Sequence, residues 1–165
     1  MIVKIIRSLL LLVLIVGTVG CDRVTKHLAQ ARLEGAPVQR LFSDTVRLEY
    51  AENVGGFLSL GANWSPDFRT AVFSIGTGLL LLALVITAIR FRRRTLYLVG
   101  ASLACAGGAS NLFDRIMQNA VIDFLNVGLG NHLRTGIFNV ADIAILLGTC
   151  IMMFSLSESP RQREV

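Results

Sequence analysis

Two aspartates stand out for where they sit. Asp123 lies between Ile122 and Phe124, Asp142 lies between Ala141 and Ile143, and neither has an obvious basic neighbour in the sequence. Carboxyl groups that meet in an apolar setting repel, so they share one proton and their apparent pKa values split. The ionised partner then takes a proton from a water attacking a carbonyl. The protonated partner hydrogen-bonds the carbonyl oxygen and later assists departure of the amine. This is aspartic-peptidase chemistry, and it calls for no cofactor, metal or covalent nucleophile. Nothing else in the chain competes well. HExxH, GxSxG and P-loop patterns are absent, and the serines have no histidine at a plausible depth. Cys21, Cys105 and Cys150 lie far apart in apolar stretches without a CxxC, and His27 and His132 are isolated. The cysteines read as small hydrophobes, so no metal site is expected.

Other polar residues cluster by spacing. Asn111, Asp114 and Arg115 stand at i, i+3, i+4 and Asn139 and Asp142 at i, i+3, so each set shares a helix face. Gly100, Ala104, Gly107 and Gly108 form a stripe of small residues that would let a neighbouring helix approach closely. Asp22 with Lys26, and Asp114 with Arg115, also fit a plainer role as ion pairs anchoring helix ends. A plainer role for Asp142 is that of a first-turn carboxylate favoured by the helix dipole.

The elements that must carry these residues are apolar. Of 165 residues, 53% are hydrophobic and only 16% charged, against about a quarter charged in an ordinary soluble domain. Disorder, collagen, coiled coil and a disulfide-rich secreted fold are excluded, and a polytopic membrane protein is expected. Ser8–Cys21, Thr70–Ile89, Thr95–Phe113 and Ile143–Ser157 are uncharged runs of 14, 20, 19 and 15 residues. Crossing a hydrocarbon core takes about 20, so the outer two must borrow flanking residues. The reading is a single domain over 1–165, mainly α, with a four-helix membrane bundle (helices near 5–26, 69–89, 95–114 and 138–157). A small antiparallel β element comes from segments near 41–66 and 119–136, with Gly128, Gly130 and Asn131 as turn formers and Trp64 and Phe68 at the water–lipid interface.

Lys4, Arg7, Arg90, Arg92, Arg93, Arg94, Arg161 and Arg163 share one side with only Glu158 and Glu164. The positive-inside rule puts that side, and both termini, in the cytoplasm. The net charge of +5 is then a topology signal and needs no nucleic-acid partner. Asp22, Lys26, Asn111, Asp114, Arg115, Asn139 and Asp142 all come to one depth near the outer surface. Ionisable groups there are costly and are normally paired or functional.

Three blocks resemble the bacterial lipoprotein signal peptidase (signal peptidase II) family along most of the chain. They are Asp22-Arg23-Val24-Thr25-Lys26, then Gly107-Gly108-Ala109-Ser110-Asn111-Leu112-Phe113-Asp114-Arg115 with Val121-Ile122-Asp123-Phe124, and finally Phe138-Asn139-Val140-Ala141-Asp142. The resemblance implies a catalytic pair of Asp123 and Asp142. It implies that Asn111, Arg115 and Asn139, with Asn53 and Gly55, hold the substrate and the pair in position. Asp22, Lys26, Asp114, Gly107, Gly108 and Ala141 would give structural support. A further block reads Asn53-Val54-Gly55-Gly56-Phe57-Leu58 and departs from the family's N-x-G-A-A-F, because Phe57 falls one position early. The implied reaction cuts precursor lipoproteins before a diacylglyceryl-modified cysteine in the bacterial inner membrane. The implied partners are those substrates, membrane lipid and globomycin-type inhibitors.

Alternatives remain at this point. A small proton-coupled carrier would use the aspartates as relays, although the halves do not look like inverted repeats. A non-enzymatic membrane subunit is a third class. Lys4, Arg7, an apolar run and Cys21 superficially resemble a lipoprotein leader, but Thr18 stands where such a leader usually has leucine.

Overall fold

The computed structural model describes residues 2–55, 63–129 and 133–157. Gly56, Phe57, Leu58, Gly61, the expected turn formers Gly130 and Asn131, His132, and Glu158, Arg161, Arg163 and Glu164 lie outside the described residues. The element order is α1 (Ile2–Leu33), β1 (Gln39–Leu41), β2 (Val46–Asn53), α2 (Pro66–Arg90), α3 (Thr95–Gln118), β3 (Val121–Leu129), β4 (Leu133–Arg134) and α4 (Val140–Ser157). Each of these four helices is long and apolar enough to cross a membrane. The strands form one antiparallel sheet in the order β1-β2-β3-β4. This is the expected fold class: a helical membrane bundle with a small sheet.

The first helix corrects its expected limit near residue 26. Its 32 residues span about 48 Å, well beyond a hydrocarbon core of roughly 30 Å. Past the apolar run its buried positions are Asp22, Lys26, Ala29 and Leu33, one helix face by spacing. Ala29 and Leu33 pack against Phe124, with Leu48, Tyr50 and Val140 around them. Tertiary contact with the sheet therefore carries the helix on until Gly35, at φ +71°, turns the chain.

The third helix is the centre of the bundle and packs against α1, α2 and α4. Its stripe of small residues mostly meets α4. A Cβ on Gly100 would stand 2.6 Å from the Gly148 carbonyl oxygen, one on Gly148 2.5 Å from that of Gly100, and one on Gly107 2.4 Å from that of Ala141. Backbones this close leave no room for a methyl group. Gly108 instead faces Leu81 of α2. Arg94, at the start of α3, donates to the Ser155 carbonyl at 2.6 Å and ties it to the end of α4.

The sheet connects α1 to the entrance of α4. Strand β2 pairs with β3 so that Ala51 stands opposite Asp123 and Asn53 opposite Val121, with an irregularity between Leu48 and Ala51. The backbone N–H groups of Phe124 and Leu125 donate to the Phe138 carbonyl at 3.1 and 2.9 Å, and Phe138 returns a bond to Leu125 at 2.8 Å. That pairing seats Asn139 and the first turn of α4 beside Asp123. The first strand begins earlier than the expected segment near 41–66. Its hairpin uses Phe42, Ser43 and Asp44, all at positive φ, and Arg47 holds the Asp44 carboxylate through two bonds of 2.7 and 2.6 Å. Gly128 is a strand residue and not the expected turn former. It pairs with Arg134, and a Cβ there would meet the Leu133 carbonyl at 2.5 Å.

Candidate active site

Asn139 immediately precedes α4, and Asp142 is the third residue of that helix. Their bonds are reciprocal. The Asn139 backbone N–H donates to Asp142 Oδ2 at 3.1 Å, and the Asp142 N–H donates to Asn139 Oδ1 at 2.9 Å. This is a capping box, so the device that starts α4 also locks the Asp142 side chain. The next free N–H of the helix, that of Ala141, donates to Asp22 Oδ1 at 2.8 Å.

The Asn139 amide nitrogen reaches the other aspartate, donating to Asp123 Oδ1 at 2.6 Å. Asn53 Nδ2 donates to Asp123 Oδ2 at 3.1 Å, and the Asn53 carbonyl oxygen of the side chain accepts the Gly55 N–H at 3.1 Å. Asp123 and Asp142 are thus joined by one residue, Asn139, which holds the first by its side chain and the second by its backbone. Asp123 is buried, with 3% of its surface exposed. Burial, then the neighbouring Asp142 charge, pushes its carboxyl up to about 6, against hydrogen bonds from Asn53 and Asn139 that pull the other way.

Behind the pair lies a buried ionic cluster. Lys26 Nζ meets Asp22 Oδ2 at 2.8 Å and Asp114 Oδ2 at 2.7 Å, and donates to Asn111 Oδ1 at 2.8 Å. Asn111 Nδ2 in turn donates to Asp142 Oδ1 at 2.8 Å. Ser110 Oγ donates to Asp22 Oδ2 at 2.6 Å, and Arg23 closes the cluster by pairing with Asp114. Asp22, Lys26, Asp114 and Asn139 have no exposed surface. Charges so deep persist only when paired and hydrogen-bonded, and here four contacts between α1 and α3 complete each other.

Arg115 makes its contacts outside this cluster. It donates to the Gly55 carbonyl at 3.3 Å and lies 6.0 Å over the Phe73 ring, while its Nε has no hydrogen-bond partner among the described residues. The reading of Asp114 and Arg115 as an anchoring pair is corrected: Asp114 pairs with Arg23 and Lys26. Neighbours in a helix point about 100° apart, so Arg115 turns to the sheet and α2. Trp64, stacked 5.9 Å from Phe73 and edge-on 5.4 Å from Phe68, extends this aromatic wall.

The structure brings Asp22, Lys26, Asn53, Gly55, Gly107, Asn111, Asp114, Arg115, Asp123, Asn139, Ala141 and Asp142 into one neighbourhood through the contacts above; Gly108 sits one helix face away, against α2. Sequence reasoning named no role for Arg23 or Ser110. Both lie inside the quoted motif blocks, which was the signal available. Chemically, the arrangement offers a buried carboxyl that holds its proton to higher pH than an ordinary aspartate, beside a second, partly buried carboxyl at a helix N-terminus.

Comparison with known proteins points to one family. A family model described as "Signal peptidase (SPase) II" matches residues 14–157. The chain is 32% identical over 139 residues to the lipoprotein signal peptidase of Chlorobium phaeobacteroides, covering 80% of each. It is 35% identical over 147 residues to that of Chlorobaculum tepidum, covering 80% of this chain and 84% of the relative. A solved structure described as a bacterial membrane enzyme shares the fold with a TM-score of 0.77 at 24% identity, over 94% of this chain and 92% of its own. With four apolar helices and a match over most of its length, this multi-pass membrane chain belongs to the signal peptidase II family.

Proposed function

We propose that the chain is a membrane-embedded aspartic endopeptidase that removes the signal peptide from bacterial prolipoproteins, cutting before the diacylglyceryl-modified cysteine. The observation that carries this reading is the Asn139 bridge, at 2.6 Å to Asp123 and 3.1 Å to Asp142, which makes the two aspartates a single unit. Asp142, on the helix N-terminus and half-exposed, acts as the base that takes a proton from the attacking water. Asp123, whose carboxyl is pushed up to about 6 and so keeps its proton to higher pH than an ordinary aspartate, hydrogen-bonds the scissile carbonyl in its protonated form and then assists departure of the amine. Asn111 and Asn139 hold the pair in place, and Asn53 and Gly55 hold Asp123 and Arg115 toward the sheet. Arg115 Nε, without a hydrogen-bond partner among the described residues, gives the substrate a donor beside the pair. No metal or cofactor takes part in this scheme.

The basic residues at the α2–α3 turn and at the start of α1 support an inner-membrane topology with both termini cytoplasmic and the aspartates near the outer leaflet. Diacyl chains of the substrate stay in that leaflet, and the signal helix lies beside the bundle. By resemblance, globomycin-type inhibitors belong to the same site. The carrier reading finds no support, because Asp22, Asp114, Asp123 and Asp142 gather in one network instead of crossing the bundle.

The test is cleavage of a diacylglyceryl-modified precursor peptide by purified protein. Asp123→Asn and Asp142→Asn are each expected to lower kcat by at least about 10²-fold while keeping a cooperative thermal transition. Native activity in either folded variant removes the dyad.

A further inference from the structure

Lys26 has no place in the reaction scheme, yet it is wholly buried and stands one amide away from Asp142. Its ammonium group meets three oxygens within 2.8 Å: it forms ion pairs with Asp22 Oδ2 and Asp114 Oδ2 and donates a hydrogen bond to Asn111 Oδ1. An ammonium group donates only. It must therefore meet the oxygen end of the Asn111 amide, and a second donor, Asn139 Nδ2 at 3.2 Å, meets the same oxygen. The nitrogen end is then left facing Asp142 Oδ1 at 2.8 Å. Rotating the amide by half a turn would set two N–H groups against Lys26 and an oxygen against a carboxylate.

Resting on the dyad reading above, we propose that Lys26 is a positioning residue: held by Asp22 and Asp114, it fixes the Asn111 amide so that a hydrogen-bond donor always faces Asp142, the base. A donor at that point favours the ionised carboxylate that must accept the water's proton. The charged groups around this relay are Asp22 on α1, Asp114 on α3 with Arg23 across it, Arg115 on α3, and Asp123 on β3. Among the described residues, the charged groups bonded to the Asn111 side chain are Lys26 and Asp142 itself. The same cation that neutralises the cluster thus also sets the polarity of the link to the site.

The proposal is tested with the full chain and a diacylglyceryl-modified precursor peptide. Lys26→Met combined with Asp114→Asn removes the donor and keeps the charge balanced, because Asp22 and Arg23 remain. This variant is expected to unfold cooperatively, keep KM within about twofold and lose about 100-fold in kcat. The acid limb of its pH–rate profile moves to higher pH. Lys26→Gln with Asp114→Asn restores an N–H donor on a side chain of methionine's length, one bond shorter than lysine, and is expected to recover at least about tenfold of that loss. A role in ionic balance alone predicts no difference between the two. A folded methionine variant with native kcat and a native acid limb overturns the proposal, as does a glutamine variant no better than the methionine one. Should the methionine variant not fold, Asn111→Asp decides. It keeps an oxygen toward Lys26 but sets another against Asp142, so a fall of about 100-fold in kcat sustains the proposal and native kcat ends it. Asp142→Asn measured alongside separates the two readings. Activity there ends the dyad itself, whereas an inactive Asp142→Asn beside a native methionine variant ends only the role of Lys26.

Discussion

Asp123 carries a thermodynamic signature that follows from its burial. Its carboxyl titrates near 6 in the folded protein against an ordinary 3.8. The folded state therefore holds a proton that the unfolded chain has already released, and stability falls as pH rises between those values. The stabilising contribution is complete below about 3.8 and gone above about 6. Asp123→Asn has no such proton to lose. Thermal unfolding of the two proteins from pH 4 to pH 8 is expected to show the native Tm dropping relative to that of the variant across this window; parallel profiles contradict the assignment. Under the proposed dyad mechanism the same proton is the one the reaction needs, so kcat/KM is expected to decline above about pH 6. At this scale much of the site was legible, because a polar residue in an apolar stretch is conspicuous. Asp123 between Ile122 and Phe124 announced itself. Arg23 and Ser110 did not, since each matters only through a partner on another helix, Asp114 and Asp22 respectively. Sequence spacing reports a face and not what packs against it.

The elements deliver those residues through close backbone contact between α3 and α4. Gly107 lies directly against the Ala141 carbonyl, one residue before Asp142. Gly107→Ala is expected to push the first turn of α4 away, lengthening the bonds from the Ala141 N–H to Asp22 and from Asn111 to Asp142. Overpacking of this kind costs about 1–3 kcal/mol, and kcat should fall with the displaced carboxylate. Gly76 on α2 has nothing within 4 Å of the point where a methyl group would stand, so Gly76→Ala is expected to leave both Tm and kcat close to native; equal effects at the two glycines would refute the packing argument. The small-residue stripe was readable from spacing, as were the four spans from their uncharged runs. The overrun of α1 was not, because Asp22 and Lys26 look like the polar end of a membrane helix. Only their burial against α3, and that of Ala29 and Leu33 against the sheet, extends it. The hairpin at Phe42–Asp44 was likewise hidden, since three consecutive non-glycine residues at positive φ run against local preference and persist through the Arg47–Asp44 pair.

For the whole molecule, the decisive quantity is where a substrate sits relative to the aspartates. Much of α1, α2 and α4 turns apolar side chains outward, with Leu10, Leu80 and Leu146 each 64–68% exposed, so the bundle's natural surroundings are acyl chains. A diacylglyceryl group already in that layer gains little new burial on binding, although each methylene buried from water is worth about 0.8 kcal/mol. Its effect is therefore expected in orientation and depth, by holding the scissile bond level with the Asn139 bridge before any contact with the protein is made. Such confinement converts an encounter into a near-unimolecular step. The expected outcome is that an unlipidated precursor with the same signal helix is cut slowly or not at all by enzyme in a bilayer. The deficit should shrink in detergent micelles, where depth is no longer fixed by a leaflet. Comparing lipidated and unlipidated precursors in vesicles and in micelles checks this directly. Equal rates in vesicles would show that the peptide alone finds the aspartates. A deficit of the same size in both media would instead mean that the protein recognises the diacyl group by direct contact.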